Sequence, residues 1–141
     1  MKIVICGSMY FAQKMLEIKK ELEILKHEVL IPNDTQECIK NPKLNESLEH
    51  CQNFSGSGID IDKEHFNMVA DSEAVLVLNY PKSGINGYVG GATLMEIAVA
   101  RHLDKKIFLL YDLPSEKDLK YVLEIKLANP MVLNGDLTKI N

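Results

Sequence analysis

Short apolar, mostly β-branched runs recur along this chain between stretches of helical periodicity, and few folds accommodate that alternation. Ile3-Val4-Ile5-Cys6, closed by Gly7-Ser8, and Ala74-Val75-Leu76-Val77-Leu78 are unbroken apolar runs, as strands covered on both faces of a parallel sheet require. Between them Phe11, Met15, Ile18, Leu22 and Leu25 recur at steps of four and three among Lys and Glu residues, the pattern of an amphipathic helix. Glu28 to Ile31 reads as a second strand that ends in the turn chemistry of Pro32-Asn33-Asp34. A helix carrying Phe66, Val69 and Ala70, capped by Asp60 or Asp62 and ending near Asp71-Ser72, leads into the third strand at Ala74.

The second half of the chain repeats the alternation. After a connection from Tyr80 to Val89, Gly90-Gly91-Ala92-Thr93 opens a helix to about Leu103, and Lys106 to Tyr111 forms a fourth strand. Ser115 with Asp118 begins a helix through Lys126, and Pro130 to Leu133 forms a short fifth strand. The fold class is therefore α/β, a three-layer sandwich around a five-stranded parallel sheet with crossover helices. Asn33 to Gly58 is polar and irregular, with one short helix placed at Leu44 to Cys51, and a connection of this length in a small domain is usually functional or mobile.

At 141 residues the chain is expected to form one domain spanning 1–141. Its 46% hydrophobic and 26% charged residues disfavour disorder. A net charge of −4, with no basic run longer than two residues, argues against binding duplex nucleic acid. Apolar runs are strand-sized and Met1 leads directly into a strand pattern, so neither a membrane span nor a targeting segment is expected. Cys6, Cys38 and Cys51 are an odd set without metal-ligand spacing; a reducing cytoplasm fits them, and no metal or other cofactor is expected.

Ligands of such sheets bind beyond the carboxyl ends of the strands, which singles out two segments. Gly7-Ser8-Met9-Tyr10 follows the first strand, where glycine permits a tight turn and free amides at a helix start can hold an anion. Tyr88-Val89-Gly90-Gly91-Ala92-Thr93-Leu94-Met95-Glu96 follows the third, and its two glycines allow a ligand close to the backbone. Glu96 stands among Leu94, Met95, Ile97, Ala98, Val99 and Ala100, where an unpaired carboxylate is costly to bury. Either a partner neutralises it, Arg101 or a lysine being the plain choice, or its chemistry is used. The sequence has no GxxxxGK[ST], no GxGxxG after the first strand, no acidic pair there, no HExxH and no GxSxG; the corresponding hydrolases, dehydrogenases and phosphoacceptors lose support. His27, His50, His65 and His102 are scattered, and only His65 lies on the helix leading into the third strand.

Ile3-Val4-Ile5-Cys6-Gly7-Ser8-Met9-Tyr10, Ala74 to Asn79, the stretch Gly90 to Ala100 and Lys105 to Leu110, taken together, resemble the nucleoside 2-deoxyribosyltransferase-like superfamily, including the 2'-deoxynucleoside 5'-phosphate N-hydrolases. The resemblance implies a flavodoxin-like, Rossmann-like domain, commonly a homodimer, that acts on a nucleoside or nucleotide with Glu96 as the nucleophile toward the sugar C1'. It implies a sugar-contacting role for Tyr10 and an acid near the third strand, for which Glu73 is the choice over Asp62 and Asp71. Gly7 and Ser8 would line the sugar or its 5' end, with Asn79, Gly90, Gly91 and Thr93 as further substrate contacts. The transferases often carry an aspartate six residues before the nucleophile, where this chain has Gly90. A second, partial resemblance is to nucleoside-monophosphate phosphoribohydrolases, whose GGxGTxxE motif shares Gly90, Thr93 and Glu96, while Val89 and Ala92 replace two of its glycines. The expected function is cleavage or transfer at an N-glycosidic bond; the alternative is a non-catalytic nucleotide-binding or sensing module.

Overall fold

A computed structural model describes residues 1–43 and 61–141. The helix placed at Leu44 to Cys51, the cap at Asp60, His50 and Cys51 fall outside the described residues. The strands are β1 (Lys2–Gly7), β2 (Glu28–Leu30), β3 (Ala74–Leu78), β4 (Lys106–Leu109) and β5 (Met131–Val132). They form one five-stranded, all-parallel sheet in the order β2-β1-β3-β4-β5. The helices are α1 (Ala12–Ile24), α2 (Thr35–Lys40), α3 (Ile61–Asp71), α4 (Gly91–His102) and α5 (Val122–Leu127). The expected flavodoxin-like, Rossmann-like α/β architecture is thus the observed one.

The alternation of side chains along β1 divides the core. Ile3 and Ile5 face a layer made by Met15, Ile18 and Leu22 of α1 with Leu133, Leu137 and Ile140 of the C-terminal segment. Val4 and Cys6 face the opposite layer, with Val69 of α3, Ile97 and Ala100 of α4, and Val122 and Ile125 of α5. The chain leaves β1 toward β2 over the first face and returns past β1 to β3 over the second. The switch point therefore lies between β1 and β3, and their carboxyl ends frame a crevice. Cys6 pairs with Val77 and Gly7 with Leu78 at those ends.

Gly7 makes the close approach there. Its φ is +154°, and a Cβ on it would stand 3.0 Å from the Leu78 carbonyl oxygen. Any side chain at this position would push the two strand ends apart.

Three elements differ from the periodicity reading. Thr35 to Lys40 is helical where a loop is expected; the Thr35 hydroxyl donates to the Pro32 carbonyl at 2.6 Å and fixes the turn that starts it. The last helix begins at Val122, because the amides of Asp118 and Leu119 both donate to the Ser115 carbonyl in a separate turn. The inward face of α3 is His65 and Val69, with Ser72 just beyond its end, whereas Ala70 is exposed and Phe66 only half-buried.

Asn79, expected as a substrate contact, is held by the backbone at the end of β4. It is fully buried just past β3, its Nδ2 donates to the Tyr111 and Asp112 carbonyls at 2.9 and 3.0 Å, and its Oδ1 accepts the Tyr111 amide at 2.8 Å. Those bonds occupy the side chain and tie the end of β3 to the end of β4. Asn79→Ala leaves backbone groups beside a cavity without partners, and is expected to lower unfolding stability by about 1–3 kcal/mol, read by urea denaturation.

Candidate functional site

Both α3 and α4 run back across the sheet from its carboxyl end, so the first turns of each helix overhang the crevice. α4 starts at Gly90, whose extended backbone turns into the helix without a side-chain cap; the Tyr121 hydroxyl donates to the neighbouring Val89 carbonyl and holds this entry in place. Glu96, in the second turn of α4, projects inward and is only 7% exposed. The partner that its burial demands is His65, one turn into α3: Nδ1 and Oε1 are 2.6 Å apart, with both side chains buried. Cys6, fully buried at the end of β1, lies beneath the pair.

Burial is the largest single influence on His65 and by itself would lower the pKa of the imidazolium. The hydrogen bond and charge of Glu96, the Ile5 backbone and the charge of Asp34 outweigh it, and the pKa rises above its ordinary 6.5. For Cys6, burial and then the Glu96 charge act in the same direction and push the thiol well above 9.0, so Cys6 is a neutral thiol and not a nucleophile. Asp34, buried at the start of α2, adds its charge to this neighbourhood; its Oδ2 accepts from the Cys38 thiol at 3.7 Å.

Among the described residues, the second Glu96 oxygen, Oε2, and the second ring nitrogen of His65, Nε2, make no hydrogen bond of ordinary geometry, although the Ile5 backbone lies near enough to act on the ring and the Cys6 thiol near enough to act with the carboxylate. A carboxylate oxygen and an imidazole nitrogen left this way in a buried place are costly unless something engages them. Donor atoms of Cys6, His65 and Glu96 all lie within 4.8 Å of one another, a sulfur, nitrogen and oxygen set of the kind zinc accepts. The 2.6 Å contact between Nδ1 and Oε1 is nevertheless a hydrogen-bond distance, and two ligands of one tetrahedral zinc stand about 3.3 Å apart. The trio is built as an ion pair with a thiol beside it.

The remaining candidates separate into two groups. Gly7, Ser8 and Tyr10 follow β1, and Gly90, Gly91 and Thr93 open α4, all at the same end of the sheet as Glu96. Ser8 caps a single 3-10 turn (Met9–Phe11) by accepting the Tyr10 amide at 3.2 Å, and the Tyr10 ring is 61% exposed. A Cβ on Gly91 would meet nothing within 4 Å, whereas one on Gly90 would meet the Tyr88 hydroxyl at 3.3 Å; Thr93 is buried in the first turn.

Glu73 does not join them. It precedes β3, at the amino end of the sheet, and its Oε2 accepts the Lys2 amide at 2.7 Å. The acid assigned to Glu73 therefore sits at the wrong end of the strand to act with Glu96, and its carboxylate braces β1 against β3. The structure instead supplies His65 and Cys6. For His65 the available signal was its place four residues before Val69 on a helix whose other inward positions are apolar; for Cys6, its place as the last residue of a buried strand.

The sequence matches no family model and no curated protein. No helix among the described residues is long and apolar enough to cross a membrane.

Removing the imidazole leaves a buried carboxylate uncompensated, and His65→Ala is expected to destabilise the fold by about 3–5 kcal/mol in urea denaturation. A pKa raised in the folded state makes the contribution of His65 full below 6.5 and removes it as pH rises through the folded value. Wild-type stability is expected to fall as pH rises above 6.5, with a flatter profile in His65→Gln.

Proposed function

We propose that this chain cleaves or transfers the N-glycosidic bond of a nucleoside or nucleoside 5'-monophosphate, with Glu96 as the nucleophile, as in the nucleoside 2-deoxyribosyltransferase-like superfamily that its motifs resemble. The observation that supports this most is the state of Glu96: a buried carboxylate at the switch point, oriented through one oxygen by His65 and with no hydrogen bond of ordinary geometry on the other. A retaining displacement needs a carboxylate of this kind, held in one rotamer and excluded from bulk water.

The steps follow from the chemistry of the groups. Oε2 forms a bond to C1' as the bond from C1' to the base nitrogen breaks; the base leaves with the electron pair and takes up a proton. Water, or the nitrogen of a second base, then attacks C1' of the glycosyl ester and returns Glu96 as the carboxylate. His65 acts as a positioning residue. While Glu96 is charged, the ion pair holds it in place; once Glu96 is esterified, the charge that retains the imidazolium proton is gone and His65 becomes a stronger acid. That compensates in part for Gly90, where the transferases often have an aspartate.

A second reading, a nucleotide-binding or sensing module, draws on the same burial: Glu96 and His65 neutralise one another and could serve only to hold the crevice together. Glu96→Gln separates the two. If Glu96 is the nucleophile, the substitution is expected to reduce base release from a panel of nucleosides and 5'-monophosphates, followed by chromatography, by at least about 10³-fold, with binding retained. Nucleotide-dependent stabilisation against heat in both proteins, with no base released by either, supports the binding module.

A further inference from the structure

The chain contains two Asn-Gly steps, Asn86-Gly87 and Asn134-Gly135, and the fold treats them differently. The dipeptide is chemically labile: a glycine, having no side chain, leaves its amide nitrogen open to attack the carbon of the preceding side-chain amide. Asn134 and Gly135 form the tight turn after β5, with φ of +52° and +81°. There the Gly135 amide donates to the Leu110 carbonyl at 2.8 Å, and the Asp136 amide closes the turn on the Leu133 carbonyl at 3.1 Å. A Cβ on Gly135 would stand 3.4 Å from the Tyr111 ring, which covers that glycine. The nitrogen that would have to attack is therefore already engaged.

Asn86-Gly87 lies in the connection from β3 to α4. Asn86 is exposed, and among the described residues neither its side chain nor the Gly87 amide makes a hydrogen bond. The connection itself is clamped on both sides of this step. Before it, Lys82 and Ile85 exchange backbone hydrogen bonds of 3.1 and 2.9 Å, and the Lys82 Nζ donates to the Ser8 Oγ at 3.1 Å. At Gly87, whose φ is +69°, a Cβ would stand 2.4 Å from the Asp112 carbonyl oxygen and 3.0 Å from the Pro114 nitrogen. Backbone meets backbone here, and an added main-chain atom has no room. Two residues later, the Tyr121 hydroxyl holds the Val89 carbonyl at the entry to α4.

We propose that Asn86-Gly87 is a self-modification site that releases this clamp as the protein ages, while Asn134-Gly135 is shielded. The Gly87 nitrogen gives up its proton to solvent base and bonds to the side-chain carbonyl carbon of Asn86. The bond from that carbon to the side-chain nitrogen breaks, and ammonia leaves with the electron pair and a proton. Water then opens the cyclic imide at either carbonyl. Opening at the main-chain carbonyl gives isoaspartate, which runs the backbone through the former side chain and lengthens it by one carbon directly before Gly87; opening at the other gives aspartate. One water is consumed and one ammonia released, with no oxidant or reductant. The lengthened backbone cannot keep Gly87 seated on residues 112–114, so the entry to α4 loosens.

Wild type, Asn86→Gln and Asn134→Gln, all as full chains, are aged at mildly alkaline pH below their melting transitions. Conversion is followed by peptide mass spectrometry, and isoaspartate by its specific enzymatic carboxyl methylation. Wild type unfolded in urea is aged alongside.

In the native protein Asn86 is expected to convert about 10-fold faster than Asn134, whose attack must first break a backbone hydrogen bond; in urea the two rates are expected to converge. Aged wild type and aged Asn134→Gln are expected to melt below the fresh proteins. Asn86→Gln, whose longer side chain closes the ring poorly, is expected to keep its transition. An Asn86 that stays intact, or converts no faster than Asn134 in the native protein, overturns the site. The same rate ratio in urea overturns the shielding by the fold, and converted protein that melts like fresh protein overturns the release of the clamp.

Discussion

A carboxylate placed on the inner face of a helix dominates this structure. Glu96 follows Thr93 by one turn and precedes Ile97 and Ala100, so the helix cannot bury its apolar face without taking the acid with it. Desolvating a lone carboxylate costs several kcal/mol, and the fold meets that cost with one imidazole across a 2.6 Å hydrogen bond. For the pair to form, α3 and α4 must lie side by side on the same sheet face, with their first turns above the end of β1. The sheet order, with β3 on the far side of β1 from β2, places them there.

The same arrangement leaves reactive capacity in place. A structural ion pair with every lone pair engaged would read as a staple. Here Oε2 of Glu96 and Nε2 of His65 make no hydrogen bond of ordinary geometry among the described residues, and burial, then the charge and hydrogen bond of Glu96, raise the pKa of the neighbouring thiol. Above this cluster stand the exposed Tyr10 ring, the Ser8 hydroxyl and Lys82.

The placement of the candidate residues shows which parts of the arrangement the sequence made legible and which it did not. The burial of Glu96 was legible as a conflict because a carboxylate in an apolar helical stretch soon after the Gly90-Gly91 pair must be paired or used. Ser8 and Tyr10 were legible from their place after a buried strand. Glu73 and Asn79 lie elsewhere than their place in the sequence suggests for one reason: flanking β3 says nothing about which way a polar side chain turns or which partner takes it. Glu73 is spent on the Lys2 amide and Asn79 on the backbone of residues 111 and 112. His65 and Lys82 carry almost no local signal, since the helix bearing the histidine would be as regular without it and the lysine occupies an ordinary turn.

What the sequence by itself determined is the layer architecture. Short unbroken apolar runs bounded by turn residues suit strands covered on both faces, and period-3.6 stretches between them suit the covering helices, because both patterns are set by backbone geometry within a few residues. What the tertiary structure decided is every pairing that makes the site: His65 with Glu96 across 31 positions, Cys6 beneath them, and Lys82 with Ser8 across 74. Contacts at such separations depend on which strand lies next to which and on which face each helix covers, and no local pattern encodes either.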